Sequence, residues 1–169
     1  MPQAQIPPGA PATLMEAFGY IVDVKEPTLD DLKVMVLVEA AGLEVYRRTA
    51  GQFDHPGVRA LLIENGYEEF KHSLRVADAI RALSGEEYPS PTPADNPYLK
   101  GEIPAFGEAS AEALRKLSQA EYGGKALYDG WADHCGNEEA ARLFRQNGKE
   151  EAEHGDRLVE AAKLLEAAG

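Results

Sequence analysis

The sequence predicts an all-α fold, a four-helix bundle with a long crossover between its second and third helices. Four long segments show the helical spacing of apolar residues, and short breaks join them into two pairs. No useful stretch alternates as a β-strand would. The 169 residues have the size of one domain, and 44% apolar and 27% charged residues are typical of a globular protein.

Residues 1–27 are rich in proline and are predicted to form an extended arm, with a short ordered piece around Leu14 to Val24. The first long helix is predicted to begin after Thr28, because Asp31 lies three residues on and completes a capping box. The segment from Gly51 to Asp54 ends it. One face of this helix carries the apolar residues Leu32, Met35, Val36, Leu43 and Tyr46.

Asp54 is predicted to cap the second helix, which has Pro56 in its first turn. Its apolar face consists of Val58, Leu62, Val76, Ile80 and Leu83. Residues 85–108 are rich in proline and polar residues and are too long for a tight turn. We interpret them as a crossover within one domain, because neither half of the chain could bury its apolar faces alone.

The third helix is predicted from about Ala109 to Cys135, and Asn137 is positioned to cap the fourth. The third helix presents Leu114, Leu117, Gly124, Tyr128 and Trp131 on one face, and the fourth presents Leu143, Phe144, Leu158, Ala161 and Leu165. Residues 28–169 are therefore predicted to form one bundle, built from the helix pairs 28–84 and 109–167.

Each apolar face also contains ionisable residues that do not belong in an apolar core. In chain order they are Glu39, then Glu69 and His72, then Glu121, then Glu151 and His154. The i, i+3 spacing places each Glu-x-x-His pair on one helix face, one turn apart. One glutamate from each of two helices, with Glu-x-x-His from each of the other two, is the ligand set of carboxylate-bridged di-iron bundles.

Charge and ligand chemistry favour a site with two metal ions at these residues. Four carboxylates in an apolar core repel one another, and each is costly to bury unpaired. Two divalent cations bring the total charge to zero. Oxygen and imidazole ligands without thiolate suit iron or manganese, with zinc as an alternative. A metal-free bundle, in which some of these glutamates face solvent, is the competing hypothesis.

The chain also repeats itself at an offset of 82 residues. The repeat relates Glu39 to Glu121, Gly42 to Gly124, Tyr46 to Tyr128, Leu61 to Leu143, Asn65-Gly66 to Asn147-Gly148, Glu68-Glu69 to Glu150-Glu151, His72 to His154 and Arg75 to Arg157. Two similar helix pairs related by a pseudo-twofold axis predict a site with two equivalent halves, one for each metal ion.

Other polar residues near the apolar faces are open to two interpretations. Tyr46 and Tyr128 lie two turns beyond Glu39 and Glu121. Each hydroxyl either bonds within ordinary core packing or reaches a metal-bound carboxylate. Asn65 and Asn147 are candidates for bonds inside the bundle. Three glutamates fall off the apolar faces and are expected in solvent: Glu44, Glu68 and Glu150.

These motifs resemble the ferritin-like superfamily, and specifically its rubrerythrin branch, over residues 28 to 167. The resemblance rests on Glu39-x6-Tyr46, Glu69-Phe-Lys-His72, Glu121-x6-Tyr128 and Glu151-Ala-Glu-His154. It implies a ferritin-like bundle with a di-iron centre that reacts with peroxide or dioxygen. In that arrangement Glu69 and Glu151 bridge the two ions, Glu39 and His72 complete one iron, and Glu121 and His154 complete the other.

The chain departs from the rubrerythrin pattern in two ways. Rubrerythrins usually carry a rubredoxin domain with four cysteines, whereas these 169 residues contain one, Cys135. Electrons are therefore expected from a separate donor protein. Rubrerythrins also commonly have a further glutamate three residues after the third-helix ligand. Gly124 occupies that position here, which puts their redox-linked ligand exchange in doubt.

The sequence alone is compatible with several functions. The net charge of −12 argues against nucleic acid or an anionic membrane as a partner. A peroxide- or dioxygen-reducing enzyme is the leading hypothesis. Its alternatives are a ferroxidase for iron storage or detoxification, an oxygen-activating hydroxylase, and a metal-free interaction bundle. We also expect a cytoplasmic protein and a homodimer that exchanges its crossover or N-terminal arm.

Overall fold

The computed structural model describes residues 3–169 and, within them, contains helices and loops without a β-strand. The described residues form five α-helices: α1 Leu14–Ile21, α2 Leu29–Ala50, α3 Pro56–Ser84, α4 Ala111–His134 and α5 Glu138–Ala168. A short 3-10 helix, Pro97–Leu99, lies in the crossover between α3 and α4. The predicted all-α class is confirmed. No helix in residues 3–169 is long and apolar enough to cross a membrane.

The four long helices form two hairpins that meet along α3 and α5. α2 packs against α3, α4 packs against α5, and the α3–α5 contact joins the two hairpins. The backbones of α2 and α4 seldom come within 8 Å of each other. This arrangement is the predicted ferritin-like bundle with its long crossover. The side of the bundle between α2 and α4 is consequently less closely packed than the other three.

Local capping explains where the long helices begin. Thr28 and Asp31 form the predicted capping box at α2, and Asn137 caps α5 as predicted. The prediction that Asp54 caps α3 is wrong, because His55 holds that position and its Nδ1 accepts from the backbone of the first turn. Pro56 is the first helical residue, so the cap must be the residue directly before it.

Helix α2 is buried on nearly all sides, more than its single predicted apolar face implies. The short ordered piece predicted around Leu14 to Val24 is the helix α1, whose buried face packs on α2. The crossover covers another side, where Asn96 Nδ2 donates to the Leu37 carbonyl at 2.8 Å. Tyr98 ties crossover to arm, since its hydroxyl donates to the Pro11 carbonyl at 2.8 Å. The division of the chain at residues 27 and 28 remains a prediction.

The close approach of α2 and α3 yields a stability prediction at Gly66. A Cβ atom there would lie 2.9 Å from Tyr46 Cβ and 3.3 Å from the Leu43 carbonyl oxygen. We expect Gly66→Ala to lower the free energy of unfolding, because overpacking by about 1–3 kcal/mol outweighs the roughly 1 kcal/mol gain in helix propensity. Denaturant unfolding of the metal-free protein measures the change.

Gly148→Ala is the matched control, since Gly148 is the repeat counterpart of Gly66 on α5. A Cβ atom there would lie 3.1 Å from Asp129 Oδ1, on a side chain that can move aside, and 3.3 Å from both the Lys125 carbonyl oxygen and Tyr128 Cβ, which is less tight than the 2.9 Å approach at Gly66. Gly148→Ala should therefore cost less than Gly66→Ala. Equal losses would mean that the α2–α3 approach is no tighter in solution than the α4–α5 approach.

Candidate metal centre

The structure brings the six predicted ligands together in the middle of the bundle. They come from all four long helices, and none is more than 8% exposed: Glu39, Glu69, His72, Glu121, Glu151 and His154. The two Glu-x-x-His pairs lie on α3 and α5, the helices that join the hairpins. Four of the six form a compact group with one ligand atom each, all within 4.8 Å of one another: Glu69, His72, Glu151 and His154.

Glu69 and Glu151 each direct one oxygen toward each histidine. His72 Nδ1 lies 3.4 Å from Glu69 Oε2 and 3.3 Å from Glu151 Oε1. His154 Nδ1 lies 3.4 Å from Glu69 Oε1 and 3.5 Å from Glu151 Oε2. Two carboxylates that bridge a pair of metal ions would need this division of their oxygens.

Glu39 and Glu121 lie at the two ends of this group. Glu39 Oε2 is 4.0 Å from His72 Nδ1, and Glu121 Oε2 is 3.9 Å from His154 Nδ1. Each end therefore combines one glutamate with one histidine, as the resemblance implies for the two ions. The assignment of these residues as metal ligands remains a prediction that this geometry supports.

Tyr46 and Tyr128 are fully buried, and each hydroxyl donates to a carboxylate from the other half of the repeat. Tyr46 donates to Glu121 Oε1, and Tyr128 donates to Glu39 Oε1. Burial, together with the neighbouring carboxylates, raises the pKa of both phenols well above its usual value. Each tyrosine is thus a neutral donor that links α2 to α4 across the site.

A support pair that the sequence interpretation missed, Glu150 with Arg75, holds His72. The outer ring nitrogen of His72, Nε2, lies 3.0 Å from Glu150 Oε2. Arg75 donates to both oxygens of Glu150, at 2.7 and 3.0 Å. Burial alone would raise the pKa of Glu150, but these bonds to His72 and Arg75 lower it to about 2.

The equivalent support pair, Glu68 with Arg157, holds His154. His154 Nε2 lies 3.1 Å from Glu68 Oε2, and Arg157 donates to Glu68 at 2.7 and 3.3 Å. The bond to His154 is the main reason that the pKa of Glu68 falls to about 2, and Arg157 adds to it. The expectation that Glu68 and Glu150 lie in solvent is wrong, because their side chains are only 18% exposed and contact the opposite hairpin.

One buried asparagine completes each half of the site, Asn147 beside His72 and Asn65 beside His154, and the prediction that both bond inside the bundle is confirmed. Asn147 Nδ2 donates to the His72 carbonyl at 3.2 Å, and Asn65 Nδ2 donates to the His154 carbonyl at 3.3 Å. Their amide oxygens accept from the arginines of the support pairs. The 82-residue repeat retains the glutamate, arginine and asparagine of both halves, and that signal could have identified the support pairs.

Burial and charge divide the four core carboxylates into two kinds. Burial and the negative charges of Glu69 and Glu151 raise the pKa of Glu39 well above its usual range. Burial and Glu151 do the same for Glu121. Burial would also raise the pKa of Glu69 and Glu151, but contacts with the two histidines lower it instead. Without metal, the outer carboxyls therefore retain protons more readily than the central ones.

Both histidines favour the protonated state in the metal-free site. Burial by itself lowers the pKa of His72, but Glu150, Glu151 and Glu69 outweigh it and raise the pKa well above 6.5. The pKa of His154 is raised in the same way by four surrounding carboxylates. In the metal-free site the carboxylates around each imidazole therefore favour its protonated form.

Unsatisfied polar atoms test whether these residues fit a metal ion. Among the buried side-chain atoms of residues 3–169, His72 Nδ1, His154 Nδ1 and Glu151 Oε2 have no hydrogen-bond partner. Buried polar atoms are normally paired, so three orphaned atoms in one cluster indicate a missing partner. All three are ligand atoms, and the other nitrogen of each histidine contacts a carboxylate, as in metal-binding histidines. The residues present fit a metal ion.

The sequence profile of the rubrerythrin family matches residues 32–162, which include every residue of this cluster. The chain belongs to the rubrerythrin family. No curated protein and no solved structure matched the chain. Membership agrees with the all-helical fold and with a buried Glu/His group that could hold metal, which are the features that the sequence motifs predict.

Substitution of Glu150 tests the support pairs of this rubrerythrin-family site. We expect Glu150→Gln to weaken metal binding by about 10–100-fold, because a neutral amide no longer stabilises the orientation and basicity of His72. The loss of affinity should affect mainly the ion beside His72. A titration with ferrous ion should therefore show one tight and one weak binding step. Anaerobic titration of the metal-free protein with ferrous ion measures both steps.

Glu68→Gln should produce the same separation through His154. Glu44→Gln is the control, because Glu44 pairs with Arg47 of its own helix and not with either histidine, although its side chain is 23% exposed and so less solvated than predicted. The role of the support pairs would be refuted if all three variants bound ferrous ion as the unsubstituted protein does.

Proposed function

We propose that this rubrerythrin-family chain is a di-iron oxidoreductase that reduces peroxide or dioxygen with electrons from a separate donor protein. The observation that carries the proposal is the pair of orphaned Nδ1 atoms, on His72 and His154, that face the central carboxylates. Two ions between them would supply the missing partners. Manganese or zinc is the alternative to iron, since both accept oxygen and imidazole ligands.

In this proposal Glu69 and Glu151 would help to hold both ions, because each directs one oxygen to each histidine. Glu39 with His72 would complete the hold on one ion, and Glu121 with His154 the hold on the other. When bound, two ferrous ions supply the two electrons that cleavage of a peroxide O–O bond consumes. The four carboxylates of the set balance the charge of two divalent ions.

The two tyrosines would keep the outer carboxylates in position. Tyr128 occupies Glu39 Oε1 and leaves Oε2 toward His72, while Tyr46 occupies Glu121 Oε1 and leaves Oε2 toward His154. One oxygen of each carboxylate is thus free for a ligand role. Because burial raises the pKa of both phenols, each hydroxyl keeps its proton and remains a donor.

Reoxidation kinetics test this function. The ferrous protein, prepared without oxygen, is mixed in a stopped-flow instrument with hydrogen peroxide or with air-saturated buffer, and the absorbance of ferric product is followed. We expect peroxide to reoxidise the protein much faster than dioxygen. If neither oxidant reoxidised the ferrous protein, a reductase of either kind would be excluded.

A second candidate, an oxygen-activating hydroxylase, is favoured by one observation. An open, largely apolar cleft of about 460 Å³ reaches the four core carboxylates from the side between α2 and α4. A hydroxylase needs room for an organic substrate beside its metal ions. It also needs dioxygen, so turnover with peroxide in the absence of oxygen favours the reductase, whereas oxygen-dependent hydroxylation of an added substrate favours the hydroxylase.

The assembly and the donor are further parts of the proposal. We propose a cytoplasmic homodimer that receives electrons from a redox protein. Iron storage would instead require a closed shell of many subunits. Sedimentation analysis separates these possibilities, because a dimer mass is incompatible with a storage shell, and a large assembly is incompatible with the proposed dimer.

A further inference from the structure

The cleft between α2 and α4 opens to solvent at one end and reaches the candidate metal centre at the other. Its volume is about 460 Å³, within the range of sites for small organic molecules. Most of its wall is apolar and comes from four parts of the chain: Phe18 of α1, Met35 and Val38 of α2, Phe106 of the crossover, and Leu117 and Leu127 of α4.

The inner end of the cleft is formed by the carboxylates themselves. Glu39, Glu69, Glu121 and Glu151 all line it, so a molecule inside the cleft would face the candidate metal centre directly. Lys25 is the one cationic side chain among the described residues that line the cleft. The rest of the cleft wall is mainly apolar, so it favours a hydrocarbon group over a charged one.

Small residues on α4 keep the cleft open. Gly123 and Gly124 both line it, and a Cβ atom on Gly123 would meet nothing within 4 Å. A Cβ atom on Gly124 would lie 3.3 Å from Glu151 Cδ, so this glycine leaves the bridging carboxylate uncovered. The α2 and α4 backbones are also far apart here, unlike the other neighbouring helix pairs.

We propose that the cleft binds an organic hydroperoxide, with its hydrocarbon part against the apolar wall and its hydroperoxide group toward the carboxylates. This inference rests on the proposed peroxide-reducing function. Hydrogen peroxide is far smaller than the cleft and gains nothing from an apolar wall. Transfer of an alkyl or aryl group from water to that wall is favourable, because it removes apolar surface from water.

Reduction of the hydroperoxide needs two electrons and two protons. The O–O bond of the hydroperoxide breaks, and two electrons and two protons are consumed to release one alcohol and one water. Two ferrous ions held by the six predicted ligands would supply one electron each and would be left ferric. The separate donor protein then returns both electrons, and the two protons come from solvent.

Binding to the metal-free protein tests the cleft without any turnover. The probe is 2-phenyl-2-propanol, the alcohol formed by reduction of cumene hydroperoxide, and titration calorimetry measures its affinity. We expect saturable binding of one probe per chain. Gly123→Leu should weaken it at least about tenfold, because a leucine in the open space of the cleft displaces about two methylene groups of contact.

Gly130→Leu is the matched control for this titration. Gly130 lies on the same helix, a Cβ atom there also meets nothing within 4 Å, and the residue does not line the cleft. The same substitution should therefore leave probe affinity unchanged. Absence of saturable binding, or equal weakening by both substitutions, would overturn the proposal.

Reoxidation of the ferrous protein separates a failure of this inference from a failure of the proposed function. We expect cumene hydroperoxide to act at lower concentration than hydrogen peroxide, with a preference that falls in Gly123→Leu and persists in Gly130→Leu. Reoxidation that favours hydrogen peroxide in all three proteins would overturn the substrate class and leave peroxide reduction intact. If neither peroxide reacted, the reductase function itself would fail.

Discussion

Metal binding is expected to disappear when Glu69 and Glu151 are both replaced by glutamine. The unsubstituted protein should retain about two iron ions per chain after anaerobic reconstitution and desalting, the number held by carboxylate-bridged bundles. Each of the two glutamates faces both histidines, so the double substitution removes a ligand from both ions at once. It also leaves two divalent cations with only two carboxylates in a buried site, which is unfavourable. Elemental analysis measures the loss.

The control is Asp78→Asn/Glu160→Gln, which removes two charges from the same two helices at exposed side chains that contact neither the ligands nor the support pairs. This variant should bind iron normally. Circular dichroism should show helical content in both variants, because glutamine matches glutamate in shape and the surrounding core is apolar. Stoichiometric iron in the Glu69→Gln/Glu151→Gln protein would assign the site to other residues.

The ligand cluster could be predicted from sequence because two independent patterns coincide there. A single Glu-x-x-His on a helix is common, whereas the repeat places Glu69 and Glu151 in register with Glu39 and Glu121, 30 residues earlier in each half. Each residue also falls on an apolar face, where an unpaired carboxylate would be costly. Helical periodicity and charge thus identify the same six residues, and the structure brings them together.

The support pairs could not be predicted from one helix at a time. Glu68 adjoins Glu69 and therefore lies 100° away around α3, off the apolar face. That side of α3 meets α5, and Arg157 and His154 supply partners that no local pattern reveals. Tertiary packing determines whether a carboxylate at a helix–helix contact is buried and paired. In the sequence, only the 82-residue repeat points to such a role for Glu68 and Glu150.

The 82-residue repeat could likewise not predict that α2 and α4 have different surroundings. The two helices correspond at an offset of 82, yet α1 and the crossover cover α2, while α4 keeps an exposed side with Ala120 and Gly123. These covering segments lie outside the repeated region, so periodicity cannot place them. The site is therefore nearly symmetric, whereas the segments that cover it are not. The cleft forms on the side that α1 and the crossover leave open.

Proton release should accompany metal binding. Burial and neighbouring carboxylates raise the pKa of Glu39 and Glu121, and neighbouring carboxylates raise the pKa of His72 and His154, so these four groups hold protons to a higher pH than usual in the metal-free site. Metal binding requires the unprotonated forms, and loss of these protons offsets the charge of two divalent ions. Calorimetric titrations in buffers of different ionisation enthalpy count the protons released.

The sign of the pH dependence follows from the same groups. Their raised pKa values mean that protons compete with metal below those values, so affinity should fall as the pH is lowered. Glu39→Gln has no proton to lose at that position and mimics the neutral carboxyl, so it should release fewer protons than the unsubstituted protein. Glu44→Gln, on the same helix, should leave the count unchanged. Metal binding without proton release would show that the metal-free site holds its carboxylates and histidines unprotonated.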